Sequence, residues 1–260
     1  MSKLLLPKAL VMGAIAMSSF SNAWADEYFI ANRDTAGLAG AIRHANASPK
    51  ADTIHLADGG LYAFSTASEA GLALPPVQGR LTVMGHGAEI RRNTEQALAL
   101  LEVVAGAELD IDSLTLAEGS RGSVRNHGIL RLRRSAIVDG TTHSENAIVQ
   151  NFGRFEAHES TIGYNQVTGA SNDAGIVLNY GSMWLDRCRL AGNSLSRRYP
   201  TLAAATLLNY GELLVEALAL EDNAVIDGFE GVASAAVLNL GIGRTLGAEL
   251  PPPAVPLMRP

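Results

Sequence analysis

Between residues 107 and 241 apolar and polar positions alternate in short bursts rather than in a helical 3.6-residue rhythm. Leu130, Leu132, Ser135 and Ile137 form one burst, and Phe155, Ala157, Ser160 and Ile162 repeat it; Met183, Leu185, Cys188 and Leu190, then Leu213, Val215, Leu218 and Leu220, repeat it twice more. Within a pair, the spacing of two is the period of a strand with one buried face, and the extra residue between pairs marks a bend. Each burst therefore predicts two short strands. An earlier segment has the same form, with Leu109, Ile111, Leu114 and Leu116 inward, and Gly79-Arg80-Leu81-Thr82-Val83 opens another.

Ahead of each burst stands Asn-x-Gly: Asn126-His127-Gly128, Asn151-Phe152-Gly153, Asn179-Tyr180-Gly181, Asn209-Tyr210-Gly211 and Asn239-Leu240-Gly241. Successive asparagines are 25, 28, 30 and 30 residues apart. A period of this size is that of a solenoid whose unit is one turn of chain. The third side of the turn precedes the motif, with Gly122, Ala147, Gly175, Ala205 and Ala235 in one inward column and Val124, Val149, Val177, Leu207 and Val237 in the next. Twelve places after each glycine stand Gly140, Asn165, Asn193 and Asn223, residues suited to a tight turn or a left-handed backbone position. The expected architecture is all-β: a right-handed parallel β-helix of about six coils, triangular in section, three strands to the turn. Asn126, Asn151, Asn179, Asn209 and Asn239 are expected to stack as a buried amide ladder, since an unpaired buried amide is costly.

Both ends depart from the pattern. Lys3 and Lys8, an apolar stretch from Ala9 to Ala16 and Ala23-Trp24-Ala25 make residues 1–25 a signal peptide in outline. Residues 26–78 read as an N-terminal cap and first strands: Tyr28-Phe29-Ile30, a short helix capped by Asp34 or Thr35 with Leu38, Ile42 and Ala45 on one face, and Asp52 to Leu56. The coils occupy 79–245. Residues 246–260, with Pro251-Pro252-Pro253 and Pro256, form a tail that cannot continue a strand ladder.

This arrangement resembles the bacterial right-handed parallel β-helix repeat proteins of the pectate-lyase-like superfamily. Residues 37–47, 52–56, Leu61-Tyr62, 81–88 and Leu114-Thr115-Leu116 are similar to the group whose N-terminal cap is named for a CSLREA signature. The resemblance implies the fold; for function it implies a set that runs from polysaccharide lyases, glycosidases and epimerases to adhesins.

Composition narrows that set. Removing the leader takes away two of the 20 basic residues and none of the 26 acidic ones, leaving a net charge of −8, so nucleic acid is not an expected partner. Lys50 is the one lysine left, which speaks against a lysine base, and Cys188, the one cysteine, leaves no intrachain disulfide. No cofactor is expected. His127, His143 and His158 with Glu145 and Glu159 have no spacing that forces them to converge, so no metal centre is expected either.

Two outward surfaces could carry function. On the first two strands Asp110, Arg131, Glu156 and Trp184 stack beside Asp112, Arg133, His158 and Asp186; these are either the groups of a carbohydrate-cleaving enzyme, two nearby carboxylates or a calcium-bound cluster with an arginine base, or alternating charges that neutralise one another. On the third side Ile148, Ile176 and Thr206, then Leu178, Leu208 and Leu238, then Phe152, Tyr180, Tyr210 and Leu240 form an apolar strip. Such a strip is either covered by a corner insertion or the tail, or bare as a partner or sugar-stacking surface with Phe152, Tyr180, Tyr210 and Trp184 as anchors. The expected function is an exported surface or envelope binding or adhesion module, periplasmic or extracellular, whose partner is a polysaccharide or another envelope protein. The alternatives are a lyase or glycoside hydrolase acting on uronate-containing polysaccharide, and a structural protein that self-associates through the strip.

Overall fold

A computed structural model describes residues 25–69, 71–143, 147–170, 174–197, 204–227 and 237–245. The expected leader and the Pro-rich tail lie outside the described residues. So does Ala235 of the small-residue column.

The chain is a parallel β-solenoid of about seven turns, where the periodicity predicted about six, with one short helix among the described residues. At the N-terminal end the strand Glu27–Ile30 pairs in parallel with Ala51–Leu56, and the helix Thr35–Ala47 connects them. The Asp34 carboxylate accepts from the Gly37 amide at 2.7 Å, satisfying one of the helix's free N–H groups. Leu38, Ile42 and Ala45 are buried, so this helix closes the end of the core.

Each full coil contains four strands, one more than the pattern predicted. Ile129–Arg133, Ala136–Val138, Thr141–His143 and Val149–Asn151 make one coil, and Arg154–His158, Thr161–Gly163, Gln166–Ala170 and Ala174–Asn179 the next. Strands at equivalent positions pair in parallel and in register from coil to coil: Leu109, Leu130, Phe155, Met183 and Leu213 are successive partners, as are Leu116, Ile137, Ile162, Leu190 and Leu220. The unforeseen third strand carries one inward residue in most coils, Thr142, Leu195 or Val225, and two in Gln166–Ala170, Val167 and Ala170, all buried. Farther toward the N-terminus, Arg80–Arg92 and Glu108–Ala117 run through the first two positions as single long strands.

The bend between first and second strands is a left-handed residue in every coil, with φ between 47 and 54° at Ser113, Arg134, Glu159, Arg187 and Ala217. A second left-handed residue follows the second strand, at Glu118, Asp139, Tyr164, Gly192 and Asp222. It is the residue just before Gly140, Asn165, Asn193 and Asn223, rather than those residues themselves. The asparagines have another task. Asn165 Nδ2 donates to Asn193 Oδ1 at 3.0 Å, Asn193 Nδ2 to Asn223 Oδ1 at 2.8 Å, and the Gly140 amide to Asn165 Oδ1 at 2.9 Å. They form a second amide ladder.

The ladder at the Asn-x-Gly corner is present as expected. Asn126, Asn151, Asn179 and Asn209 are fully buried, and each donates to the Oδ1 of the next, the last to Asn239, at 2.5–2.7 Å. The rest of the motif follows from the stacking. At each corner two consecutive amides share the carbonyl of the asparagine one coil back, as Tyr180 and Gly181 do with Asn151 at 2.8 and 3.2 Å. This draws the backbones so close that a Cβ on Gly153, Gly181, Gly211 or Gly241 would overlap the preceding glycine's carbonyl oxygen. Glycine is therefore required by space.

Candidate functional site

The fourth side of the coil revises the apolar strip. The Ser123 and Val124 amides both donate to the Ile148 carbonyl, at 2.8 and 3.0 Å, so the chain is bulged where an unbroken alternation was expected. Ile148 and Val149 consequently both enter the main core, as do Ile176 and Val177. Thr206 is buried as well. Leu178 and Leu208 do lie on the outer side, but they are buried in a separate small cluster with Ala147 and Ala205, against which Tyr210 and Leu238 pack. Ala147 and Ala205, expected inside, thus belong to this outer cluster. Of the predicted strip, the third column remains open: Phe152, Tyr180 and Leu240 are each about half exposed.

That column is a ring stack. Successive centroids from His127 to Phe152, Tyr180 and Tyr210 are 4.8, 5.2 and 5.2 Å apart, with planes within 6° of parallel. One aromatic residue per coil, at one rung spacing, produces this arrangement directly. The interior rings cover one another's faces and leave edges to solvent. Sugar stacking needs a free face, so the interior rings do not offer that contact. No ring contact joins Trp184 to the stack among the described residues; it sits on the neighbouring sheet, edge-on to His158 with centroids 4.7 Å apart.

The outward face of the first strands holds two shallow grooves. One, of about 450 Å³, is lined by Thr82, Met84, Asp110, Asp112, Arg131 and Arg133. The other, of about 420 Å³, is lined by residues that include Arg154, Trp184, Glu212, Leu214, Ile242 and Arg244. Between them lies a charge network. Arg131 reaches Glu108 at 3.5 Å, Asp110 at 3.4 Å and Glu156 at 3.3 Å, while Arg154 also pairs with the nearly buried Glu156. Partial burial by itself would lower the Arg131 pKa; the Asp110 carboxylate, followed by those of Glu156 and Glu108, outweighs it and holds the guanidinium above its usual value.

Register places Asp112, Arg133, His158 and Asp186 in one column, as predicted, but the pairing differs from simple neutralisation along it. Asp112 is taken by Arg134 and by the Ser113 hydroxyl, because the left-handed turn at Arg134 swings that side chain back across the wall. The Arg133 guanidinium forms no ion pair or hydrogen bond among the described residues and stands exposed at the groove. His158 Nδ1 lies 2.9 Å from Asp186 Oδ2, which also meets Arg187 at 3.2 Å. A carboxylate-oriented imidazole one rung from an open guanidinium is able to bind an anionic group and to accept a proton from it.

The other candidates are placed plainly. His127 is in the ring stack and His143 Nδ1 meets the Thr168 hydroxyl, so the histidines considered as metal ligands are dispersed; Glu145 lies outside the described residues. No group of three or more metal-ligating side chains occurs among the described residues. Cys188 is buried, donates to the Ala157 carbonyl at 3.2 Å, and has its pKa pushed up to about 11 by burial, which leaves it a thiol and a poor nucleophile. No helix among the described residues is long and apolar enough to cross a membrane.

Comparison with models of protein families, with curated proteins and with solved structures finds no match to this chain. The likeness to β-helix repeat proteins stands on the fold: a parallel β-solenoid with an asparagine ladder.

Proposed function

We propose that the protein is an exported binding or adhesion module that holds an extended polymer along the outward face of its largest sheet. The observation that carries the reading is the pair of shallow grooves on that face, with Arg133 open in one and Arg154, Trp184 and Arg244 lining the other. An open, rung-spaced wall of this kind suits an elongated ligand better than a small molecule, which is ordinarily enclosed on most sides. Export is the sequence expectation drawn from residues 1–25, and the partner class is a polysaccharide or a protein of the cell envelope.

A second reading is favoured by His158. Held by Asp186 beside Arg133, it supplies a general base next to a carboxylate-binding cation, the pair that a lyase acting on a uronate-containing polysaccharide uses. One experiment separates the two. The protein without residues 1–25 is screened on a glycan array and, in parallel, for release of unsaturated or reducing sugars from uronate-rich polymers. Retention without release, weakened by Arg133→Ala, supports the module; release that is abolished by His158→Ala supports the enzyme; neither retention nor release overturns both.

A further inference from the structure

Asp52 is a carboxylate in a column that otherwise holds apolar side chains. On the strand Ala51–Leu56 it points inward with Ile54 and Leu56, and it is fully buried. Its register partners in the successive coils are Leu81, Leu109, Leu130, Phe155, Met183 and Leu213. One hydrogen bond reaches it among the described residues: the Asp26 backbone N–H donates to Oδ1 at 2.9 Å, while Oδ2 has no partner. No cation pairs with it among the described residues, and Lys50, two residues away, meets Asp26 Oδ1 at 3.9 Å instead. A buried carboxylate held by one amide is costly, because its charge is uncompensated and one oxygen is left unpaired. An aliphatic side chain, as in the later coils, carries no such cost.

We infer that Asp52 is the receptor for the mature N-terminus: removal of the leader after Ala25 leaves an α-ammonium on Asp26, which forms a buried ion pair with the Asp52 carboxylate. The inference rests on the export reading above. Ala23-Trp24-Ala25 puts small residues at both positions that a leader peptidase reads, and Asp26 follows directly. Hydrolysis of the Ala25–Asp26 peptide bond consumes one water and leaves a carboxylate on Ala25 and an amine on Asp26. With an ordinary pKa of about 7.7–8.0, that amine is mostly protonated at pH 7. Where the precursor has one N–H at this nitrogen, the mature chain has three and a positive charge. The first stays on Oδ1 and a second is available to Oδ2, so the cut supplies both the missing donor and the missing charge. The nitrogen is already held in place, because the Asp26 carbonyl accepts from the Thr53 amide at 2.9 Å where the ladder of Glu27–Ile30 begins. Tyr28 senses the same negative surroundings: its phenol pKa is raised, first by burial and then by the Asp52 and Asp26 carboxylates. The precursor therefore folds with an uncompensated charge under its cap and the processed chain does not, which couples leader removal to the stability of the N-terminal coil.

The test has two arms. In the first, intact-mass measurement of the protein recovered from a bacterial host expressing the full-length chain identifies its first residue. A chain beginning at Asp26 is expected; an uncut chain overturns the export reading together with the inference, and a chain cut elsewhere overturns the inference alone. In the second, chains beginning at Asp26 and at Ala25, each released from a fusion partner by a protease that leaves no extra residue, are unfolded in urea with and without Asp52→Asn. Moving the ammonium by one residue should lower the folding equilibrium constant about tenfold or more when Asp52 is present, and by less than about twofold in the Asp52→Asn background. Acetylation by acetic anhydride at pH 7 needs no substitution: the Asp26 amine should react about tenfold or more slowly in the folded than in the urea-unfolded chain, whereas the amine of the chain beginning at Ala25 should react at similar rates in both. Equal stability of the two chains, a difference that persists in Asp52→Asn, or an unprotected Asp26 amine overturns the inference.

Discussion

Removing one rung of the corner ladder should cost far more in the middle of the solenoid than at its end. The Asn179 amide donates to Asn209 Oδ1 at 2.5 Å, to the Glu212 carbonyl at 2.8 Å and to the Gly181 carbonyl at 3.3 Å, and its oxygen accepts from Asn151 at 2.7 Å. Asn179→Ala removes both N–H donors and one acceptor. Asn151 keeps two other acceptors, the Gly153 and Ser182 carbonyls, but the buried Asn209 Oδ1 loses the donor that Asn179 supplied. Two or three net hydrogen bonds at about 1 kcal/mol each, plus about 1–3 kcal/mol for the orphaned oxygen, sum to roughly 3–6 kcal/mol. At about 2–4 °C per kcal/mol for a chain of this size, the unfolding temperature should fall by roughly 6–24 °C. Asn239 accepts from Asn209 and is only half-buried, so Asn239→Ala should cost about 1 kcal/mol. Urea unfolding followed by circular dichroism measures both, and an Asn151/Asn179 double-mutant cycle isolates the coupling between rungs. Equal losses at positions 179 and 239, or a loss below about 1 kcal/mol at 179, would refute the ladder as a source of stability.

The other predictions rest on separate features. Gly181→Ala should destabilise by at least about 2–3 kcal/mol in the same assay, since its Cβ meets backbone that cannot move without opening the stack. Arg131→Ala should cost about 1–3 kcal/mol, because the nearly buried Glu156 then depends on Arg154 for its charge, whereas Arg133→Ala should leave stability within about 0.5 kcal/mol of wild type. Cys188 should resist a thiol reagent in the native protein at pH 8 and react once unfolded. Its folded pKa is raised from about 9 to about 11, so the protonated thiol is favoured in the native state. Its contribution to stability is complete below pH 9 and is lost as pH rises from 9 toward 11, which a pH series of urea midpoints will show.

Much of this was legible from pattern. The first and second strands each carry inward residues at a fixed offset from the Asn-x-Gly glycine, so counting identifies them, and the asparagine column follows from the same count. The third strand escaped because it has one inward side chain in most coils, as at Thr142, and in Gln166–Ala170 a bulge sets its two, Val167 and Ala170, three apart, so no alternation shows. Asn165, Asn193 and Asn223 suit a turn as well as a ladder, and only their inward orientation decides between the two. At Ile148 a bulge shifts the alternation by one residue, turning a predicted outer column into core. The candidate site was half visible: the wall's columns follow from register, but the capture of Asp112 by Arg134, which leaves Arg133 open, depends on a left-handed bend that no residue type announces.

The steps between successive corner asparagines differ, yet the distance from each Asn-x-Gly glycine to Gly140, Asn165, Asn193 or Asn223 is constant at twelve residues. Most of the variation in length therefore enters between the third strand of one coil and the fourth, in the intervals 143–149, 170–174, 197–204 and 227–237, and one further residue is taken up by the bulge between Val167 and Ala170. The four strand positions pair in parallel with their counterparts in neighbouring coils. Between the third and fourth strands the solenoid thus has a seam at which sequence is added or removed while both ladders among the described residues keep their register. For engineering, that seam is the place to graft a foreign epitope, with the choice of coil setting its height along the axis one rung at a time.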